Sequence, residues 1–331
     1  MTVKKLKFDI LTIGSVMRDI FFYSDEGLII NNRKDPLRQK LLGFELGAKI
    51  EPKSSYSGWG GGAINTATSF SRLGLRVGTF SSVDRLDASI LDKHLSRDKI
   101  SFCNYNSGKQ TTGVSFIVVD SKSKEHVTFL SRSASKDFKL PSKLPATEWI
   151  YLSALTGNNA RHNLEIIRRE VLKNELLLAW NPGNEQLQLG WKKLLPLLKI
   201  TSVLILNKDE AMELVANGFP KTPRNKLEDV AFLLYQLTHA GVPMVAITQG
   251  KNGASVATVN GYISEKIFKK WPLVETTGAG DAFGSTFIAS LKLNDGDVKK
   301  SLHWALVNSG SVVGKVGATD GLLSIREIKK L

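Results

Sequence analysis

The sequence predicts an α/β protein, a doubly wound parallel sheet carrying a small β lid. Short apolar runs bounded by turn residues alternate with stretches of helical spacing over most of the chain, the pattern of strands and crossover helices. Two β-like stretches without helical spacing interrupt that alternation in the first half and supply the lid. A length of 331 residues, 42% hydrophobic and 23% charged, suffices for one large core and is too apolar for a disordered chain.

Each element follows in order. Residues 8–13 are a mostly apolar run ending at Gly14, as in a buried parallel strand. Residues 21–56 carry patchy apolar runs, Leu28-Ile29-Ile30 among them, and predict a β excursion. Helical spacing returns over 62–73, Gly74 follows as a C-cap, and 77–80 is a strand. Residues 112–119 and 126–130 predict an antiparallel pair joined by a polar turn at 120–125. Strands near 149–152, 176–180, 202–206 and 244–248 then alternate with helices near 160–172, 208–216 and 227–240. No repeat or linker divides the chain, so one domain over 1–331 is predicted, its lid drawn from roughly 20–57 and 103–133.

Composition excludes several function classes. Lys+Arg number 45 against 31 Asp+Glu, a net charge of +14, yet the basic groups Arg33/Lys34, Lys269/Lys270 and Lys329/Lys330 are scattered and accompany no nucleic-acid motif. A solvated basic surface that attracts small anions is expected, and no nucleic-acid partner. Cys103 is the only cysteine, which rules out an intrachain disulfide or a Cys-cluster zinc site and suits a reducing, cytoplasmic setting. No apolar run approaches the roughly 20 residues of a membrane span. Lys4, Lys5 and Lys7 before an apolar stretch imitate a signal peptide, but Asp9 and Arg18 interrupt it. The five histidines are isolated, without zinc or Ser-His-Asp spacing, so the chemistry falls to carboxylates and backbone.

Four segments can carry that chemistry. In Thr276-Thr277-Gly278-Ala279-Gly280-Asp281 small residues allow a sharp turn that presents successive N–H groups, and the apolar spacing over 282–291 makes the turn a helix N-terminus. Asp281 can there take a proton from a hydroxyl while the N–H groups hold a phosphoryl's charge, although an N-capping Asp has the same spacing. Gly58-Trp59-Gly60-Gly61-Gly62-Ala63-Ile64-Asn65 opens the first long helix and satisfies Gly-x-Gly-x-x-Ala, with Asp84 downstream, so an NAD-dependent oxidoreductase is a rival reading. The polar segment 51–56 before it does not resemble the buried strand that fingerprint needs. Asn207-Lys208-Asp209-Glu210 reads either as a capping box or as ligands at the carboxyl end of a strand. Thr248-Gln249-Gly250-Lys251-Asn252-Gly253-Ala254 reads as a phosphate-holding turn or a plain hairpin. Residues 310–316 lack Walker spacing.

In this order the four segments resemble the ribokinase-like (PfkB) carbohydrate kinase family over nearly the whole chain. Thr276 to Asp281 matches the family's Asp-Thr-x-Gly-Ala-Gly-Asp signature from its second position; 60–65, 207–210 and 248–254 are similar to its glycine-rich, Asn-x-x-Glu and nucleotide-loop motifs. The resemblance implies a Rossmann-like sheet with a β lid and transfer of the γ-phosphoryl of ATP, with magnesium, to a hydroxyl of a small sugar or nucleoside. It makes Asp281 the base and Gly278, Ala279 and Gly280 the anion hole. Asn207, Thr248, Gly250 and Gly253 would face the nucleotide phosphates, Asn308 would lie near adenine, and Glu210 would hold magnesium through water. Asp19 would bind acceptor hydroxyls with Gly61, Gly62 and Asn65, and Asn181 is a further pocket candidate.

Glu275 stands where the family usually has an Asp that helps bind a monovalent cation. Thr277 and the loop 315–318 remain candidate cation contacts, but the longer carboxylate is expected to displace the ion and weaken potassium dependence. An unphosphorylated sugar or polyol ranks first as acceptor and a nucleoside second. A sugar phosphate would need convergent cations such as Arg18, Arg132 or Arg161, and a nucleoside an aromatic face such as Tyr23, Phe44, Tyr56 or Trp59. A catalytically dead sugar binder is disfavoured by the retained Asp281. Relatives dimerise through lid sheets, and the apolar runs between Phe21 and Phe44 allow a homodimer here.

Overall fold

The computed structural model describes residues 7–32, 40–105, 110–123 and 126–331. Lys4, Lys5, the Arg33/Lys34 pair and the end of the polar turn at 124–125 lie outside the described residues. In chain order the strands are β1 (Ile10–Ile13), β2 (Met17–Ser24), β3 (Leu28–Asn31), β4 (Lys40–Gly43), β5 (Ser54–Gly60), β6 (Val77–Ser81), β7 (Ser101–Asn104), β8 (Gly113–Asp120), β9 (His126–Ser131), β10 (Trp149–Leu152), β11 (Leu177–Trp180), β12 (Val203–Asn207), β13 (Met244–Thr248), β14 (Ala254–Thr258) and β15 (Gly261–Glu265).

The central sheet has the order β15-β14-β13-β12-β11-β10-β1-β6-β7, parallel from β13 to β7 and closed at one edge by the antiparallel β14 and β15. Every residue of β1, β6 and β10 is buried, as strands covered on both faces must be. One face packs on the helices Gly62–Arg72, Ala279–Leu293 and Val298–Val313. The other packs on Ala160–Asn174, Lys208–Gly218 and Val230–His239. β1 lies between β6 and β10, so the chain leaves it in opposite directions and opens a crevice at the carboxyl ends of the strands.

The lid is a separate four-stranded sheet, β5-β2-β8-β9. β2 and β8 alternate buried and accessible positions, the period of a sheet with one covered face. β8 and β9 form the expected antiparallel pair. The excursion yields two sheets where one was expected, since β3 and β4 form a hairpin of their own. Cys103 and Asn104 belong to β7 in the central sheet, so the second lid segment starts after them.

Candidate active site

The catalytic segment is built by one turn. Gly278 has φ 78°, a left-handed conformation, and a Cβ there would lie 2.6 Å from the Ala318 methyl; glycine is what lets the chain enter the Ala279–Leu293 helix here. The Ala279 N–H is taken by the Thr276 carbonyl at 3.2 Å, while Gly280 and Asp281 stand in the first turn, where N–H groups lack intrahelical acceptors. Gly280 is exposed. The turn therefore offers N–H donors and the positive end of a 15-residue helix to an anion.

Asp281 sits on the third residue of that helix, and Asn65 Nδ2 donates to its Oδ2 at 2.8 Å. Burial raises its pKa, and the Asn65 bond opposes the rise. The result is a half-buried carboxylate, oriented by one donor and more basic than a free aspartate. Asn65, expected on the acceptor side, has its amide nitrogen on Asp281.

Asp19, on β2, reaches the same space from the lid. A Cβ at Gly60 would overlap its carboxylate at 1.8 Å, so the glycine-rich stem makes room for it. Burial pushes the Asp19 pKa to about 7; a hydrogen bond from Ser115 on β8 pulls it down, and the Glu275 and Asp281 charges push it up. A Cβ at Gly62 would lie 2.6 Å from Ser153 Oγ and 3.5 Å from Asp281 Oδ1, which brings the stem, Asp281 and the end of β10 together. Gly61 (φ 99°) caps the Gly62–Arg72 helix beside them. Asn181, after β11, donates its amide to the Ile205 carbonyl at 2.9 Å and so ties two strand ends together.

Of the two readings of Asn207 and Glu210, the capping box is present. Asn207 Oδ1 accepts from the Glu210 N–H at 2.9 Å, and Glu210 Oε2 accepts from the Asn207 N–H at 2.8 Å, a complete capping box at the carboxyl end of β12. Glu210 Oε1 has no partner among the described residues, and burial raises the carboxyl pKa, opposed by the Asn207 N–H and helped by Glu213 and Asp209. No three His, Cys, Asp or Glu gather into a metal cage among the described residues. A single carboxylate fits magnesium that arrives on phosphates and keeps its water. The fully buried Tyr151 hydroxyl has no hydrogen-bond partner among the described residues, and the Asp281 and Glu210 charges both act on it. Thr248 ends β13 beside Asn207, and Gly250 and Gly253 bracket a 3₁₀ turn after it.

Two expectations change. Asn308 is fully buried and its amide is committed at both ends, donating to Thr286 Oγ1 at 2.7 Å and accepting from the Leu323 N–H at 2.9 Å, so it holds the C-terminal segment to the core and offers nothing to a base. The Gly58 fingerprint ends β5, an antiparallel lid strand, and Asp84 caps the Arg85–Arg97 helix while bonded to Thr112, so neither half of a dinucleotide site is present. Glu275 is buried, and its two oxygens accept from the Thr277 and Gly317 N–H groups, each at 3.2 Å, so backbone from two loops meets on one carboxylate. Sequence reasoning missed Ser115, Ser153 and Tyr151; the last two stand at the carboxyl end of β10, where polar residues in such folds face ligand.

The sequence profile of the pfkB family carbohydrate kinases matches residues 8–325. The chain belongs to that family. Among curated relatives it is 24% identical to an ATP-dependent 6-phosphofructokinase of Thermoanaerobacterium thermosaccharolyticum, over 98% of this chain and 94% of that one. It is 26% identical to a nucleoside kinase of Methanocaldococcus jannaschii, over 74% and 76% of the two chains. A ribokinase structure from Giardia lamblia superposes with a TM-score of 0.75 at 19% identity, covering 98% of each chain, and shares the fold. As a pfkB member the chain is a phosphotransferase of the sugar and nucleoside kinase class, and no helix among the described residues is long and apolar enough to cross a membrane.

Proposed function

We propose that this pfkB kinase transfers the γ-phosphoryl of ATP to a hydroxyl of a small sugar or sugar-like acceptor, with Asp281 as general base, and works as a cytoplasmic homodimer joined through its lid. The observation that carries the reading is the Asn65-oriented Asp281 carboxylate at a helix N-terminus that offers free N–H donors.

ATP supplies the phosphoryl group; Glu210 would hold magnesium through water, and the ion would supply charge neutralisation on the phosphates. Asp19 and the stem at Gly61 and Gly62 hold the acceptor so that one hydroxyl faces Asp281. Asp281 removes that hydroxyl's proton as the oxygen attacks, and its raised proton affinity suits it to the task. Gly278, Ala279 and Gly280 stabilise charge on the moving phosphoryl through fixed N–H dipoles. Asn207, Thr248, Gly250 and Gly253 steady the nucleotide phosphates at the ends of β12 and β13. Glu275 and Thr277 are joined to each other rather than arranged around an ion.

A sugar is favoured over a nucleoside because two of the aromatic candidates, Trp59 and Tyr56, are engaged within the protein. Trp59 lies under the Arg18 guanidinium at 4.9 Å, and Tyr56 donates to Asp320 at 3.1 Å. The test is ADP release with Mg-ATP across pentoses, hexoses, hexose phosphates and nucleosides, in wild type and Asp281→Asn. Acceptor-dependent turnover that falls about 10²–10⁴-fold in the mutant is expected, the usual worth of a general base. Turnover indifferent to the mutation overturns the mechanism.

A further inference from the structure

One cavity of the acceptor side is unassigned. It measures about 560 Å³ and is lined by residues that include Leu130, Arg132, Lys136, Asp137, Asn158 and Glu185, with no aromatic ring. Strand register locates it. Asp19 pairs with Ser115 across β2 and β8, and Ser115 pairs with Leu130 across β8 and β9, so the three side chains share the lid's inner face. Two strand spacings separate Leu130 from Asp19, roughly 10 Å. An acceptor held by Asp19 with its reacting hydroxyl toward Asp281 therefore extends its remote end into this cavity.

The three arginines able to meet an anionic acceptor now separate. Arg18 is bound to Asp87 through Nε at 2.8 Å, and Arg161 is exposed on the Ala160–Asn174 helix. Arg132 alone lines the cavity. Its side chain is about three-quarters buried, and its ionic neighbour among the described residues is Glu185 at 3.7 Å, beyond hydrogen-bond reach. Its five donors form a fixed fork that matches the paired oxygens of a carboxylate or phosphate. Glu185 gives its other oxygen to the Gly157 N–H at 3.2 Å, and Lys136 adds a second cation to the lining.

We infer that Arg132 is a specificity-determining residue that binds an anionic group, carboxylate or phosphate, on the end of the acceptor remote from the phosphorylated hydroxyl. The inference rests on the kinase reading and narrows its substrate class to sugar acids or sugar phosphates, against the unphosphorylated neutral sugar that sequence alone ranks first.

The experiment measures kcat and KM with matched acceptors, a hexose against its 6-phosphate and an aldose against its aldonic acid, in wild type, Arg132→Gln and Arg132→Lys. In at least one pair the anionic member is preferred. That preference falls about 30–100-fold in Arg132→Gln, chiefly through KM, and is partly restored in Arg132→Lys, as loss of a charge-assisted bidentate contact dictates. The responsive pair distinguishes phosphate from carboxylate. A preference for the neutral member in both pairs, or a preference that Arg132→Gln leaves unchanged, overturns the inference. Calorimetric titration of Asp281→Asn with the same pairs reads binding without turnover. Binding that favours the anion and depends on Arg132, with no ADP release from wild type, would sink the kinase reading and keep this one.

Discussion

At the scale of single residues, the site places a buried carboxylate, Asp19, and a half-buried one, Asp281, in one crevice, with different roles proposed for them. Asp19 has a folded-state pKa near 7 against an ordinary 3.8, so between those values the folded chain binds more protons than the unfolded one. Stability therefore falls as pH rises through that window, by on the order of 4 kcal/mol. Asp19→Asn, which cannot ionise, is expected to be more stable than wild type at pH 8 by a similar amount and indistinguishable near pH 4, as read by urea unfolding at both. The same titration makes wild-type kcat/KM for the acceptor fall about tenfold per pH step below 7, because a protonated Asp19 no longer accepts two hydroxyls. Glu275 gives a second outcome. Its carboxylate already joins Thr277 to Gly317, so exchanging sodium for potassium should leave the rate unchanged, and a several-fold rise in potassium contradicts this. Glu275→Gln puts an amide donor against one of two N–H donors and should lower kcat about tenfold, the cost of one lost charged hydrogen bond. Both signature carboxylates are legible in sequence because their spacing is local. Asn65 is legible as a site residue but not as the partner of Asp281, since the two are 216 positions apart and only folding joins them.

Among elements, legibility followed the strength of periodicity. β1, β6 and β10 are short, mostly apolar runs bounded by turn residues and announce themselves. The Arg85–Arg97 helix buries only Asp87, Leu91 and Leu95, too thin a stripe to show at 3.6 spacing, and the Val298–Val313 helix is buried on so much of its surface that it has no polar face to set the period. That first helix has a task sequence reading could not assign: its Asp87 holds Arg18, which in turn covers Trp59, and this joins the lid strands β2 and β5 to the main domain. The Arg18 hydrogen bond is what most lowers the Asp87 pKa. Arg18→Ala leaves a buried carboxylate without its cation and should cost about 1–2 kcal/mol, a figure held down because the arginine is half exposed. Adding Asp87→Asn to that variant should recover most of the loss in a double-mutant cycle of urea unfolding, and additive losses would show that the pair is not coupled. The acceptor KM should rise several-fold in Arg18→Ala, since Asp19 is the next residue on the same strand.

For the whole molecule, the lid's outer face is the feature that a soluble monomer does not explain. A one-sided antiparallel sheet normally turns polar residues outward. Here Phe116 and Phe129 pair across β8 and β9 and are 41% and 61% exposed, Phe22 stacks on Phe116 at 6.4 Å, and Val127 is exposed beside them. Leu28, Ile30 and Leu41 of the β3–β4 hairpin are exposed as well, and β9 is an open edge. A contiguous aromatic face of this kind marks an interface, and a two-fold axis lets the same patch serve both partners. The expected state is a homodimer in sedimentation velocity at about 10 µM, with Phe129→Lys dissociating it because two like charges then meet across the axis. A wild-type monomer at that concentration, or a dimer indifferent to Phe129→Lys, removes the lid from consideration. Such a dimer would also have a catalytic consequence. Asp19 lies on β2, an interior strand of the lid, whereas Asp281 lies on the main domain, so a second lid would brace the acceptor-binding carboxylate without touching the base. Dissociation by Phe129→Lys should therefore raise the acceptor KM several-fold while leaving the Asp281-dependent kcat within about a factor of two, a split that a general unfolding defect would not produce.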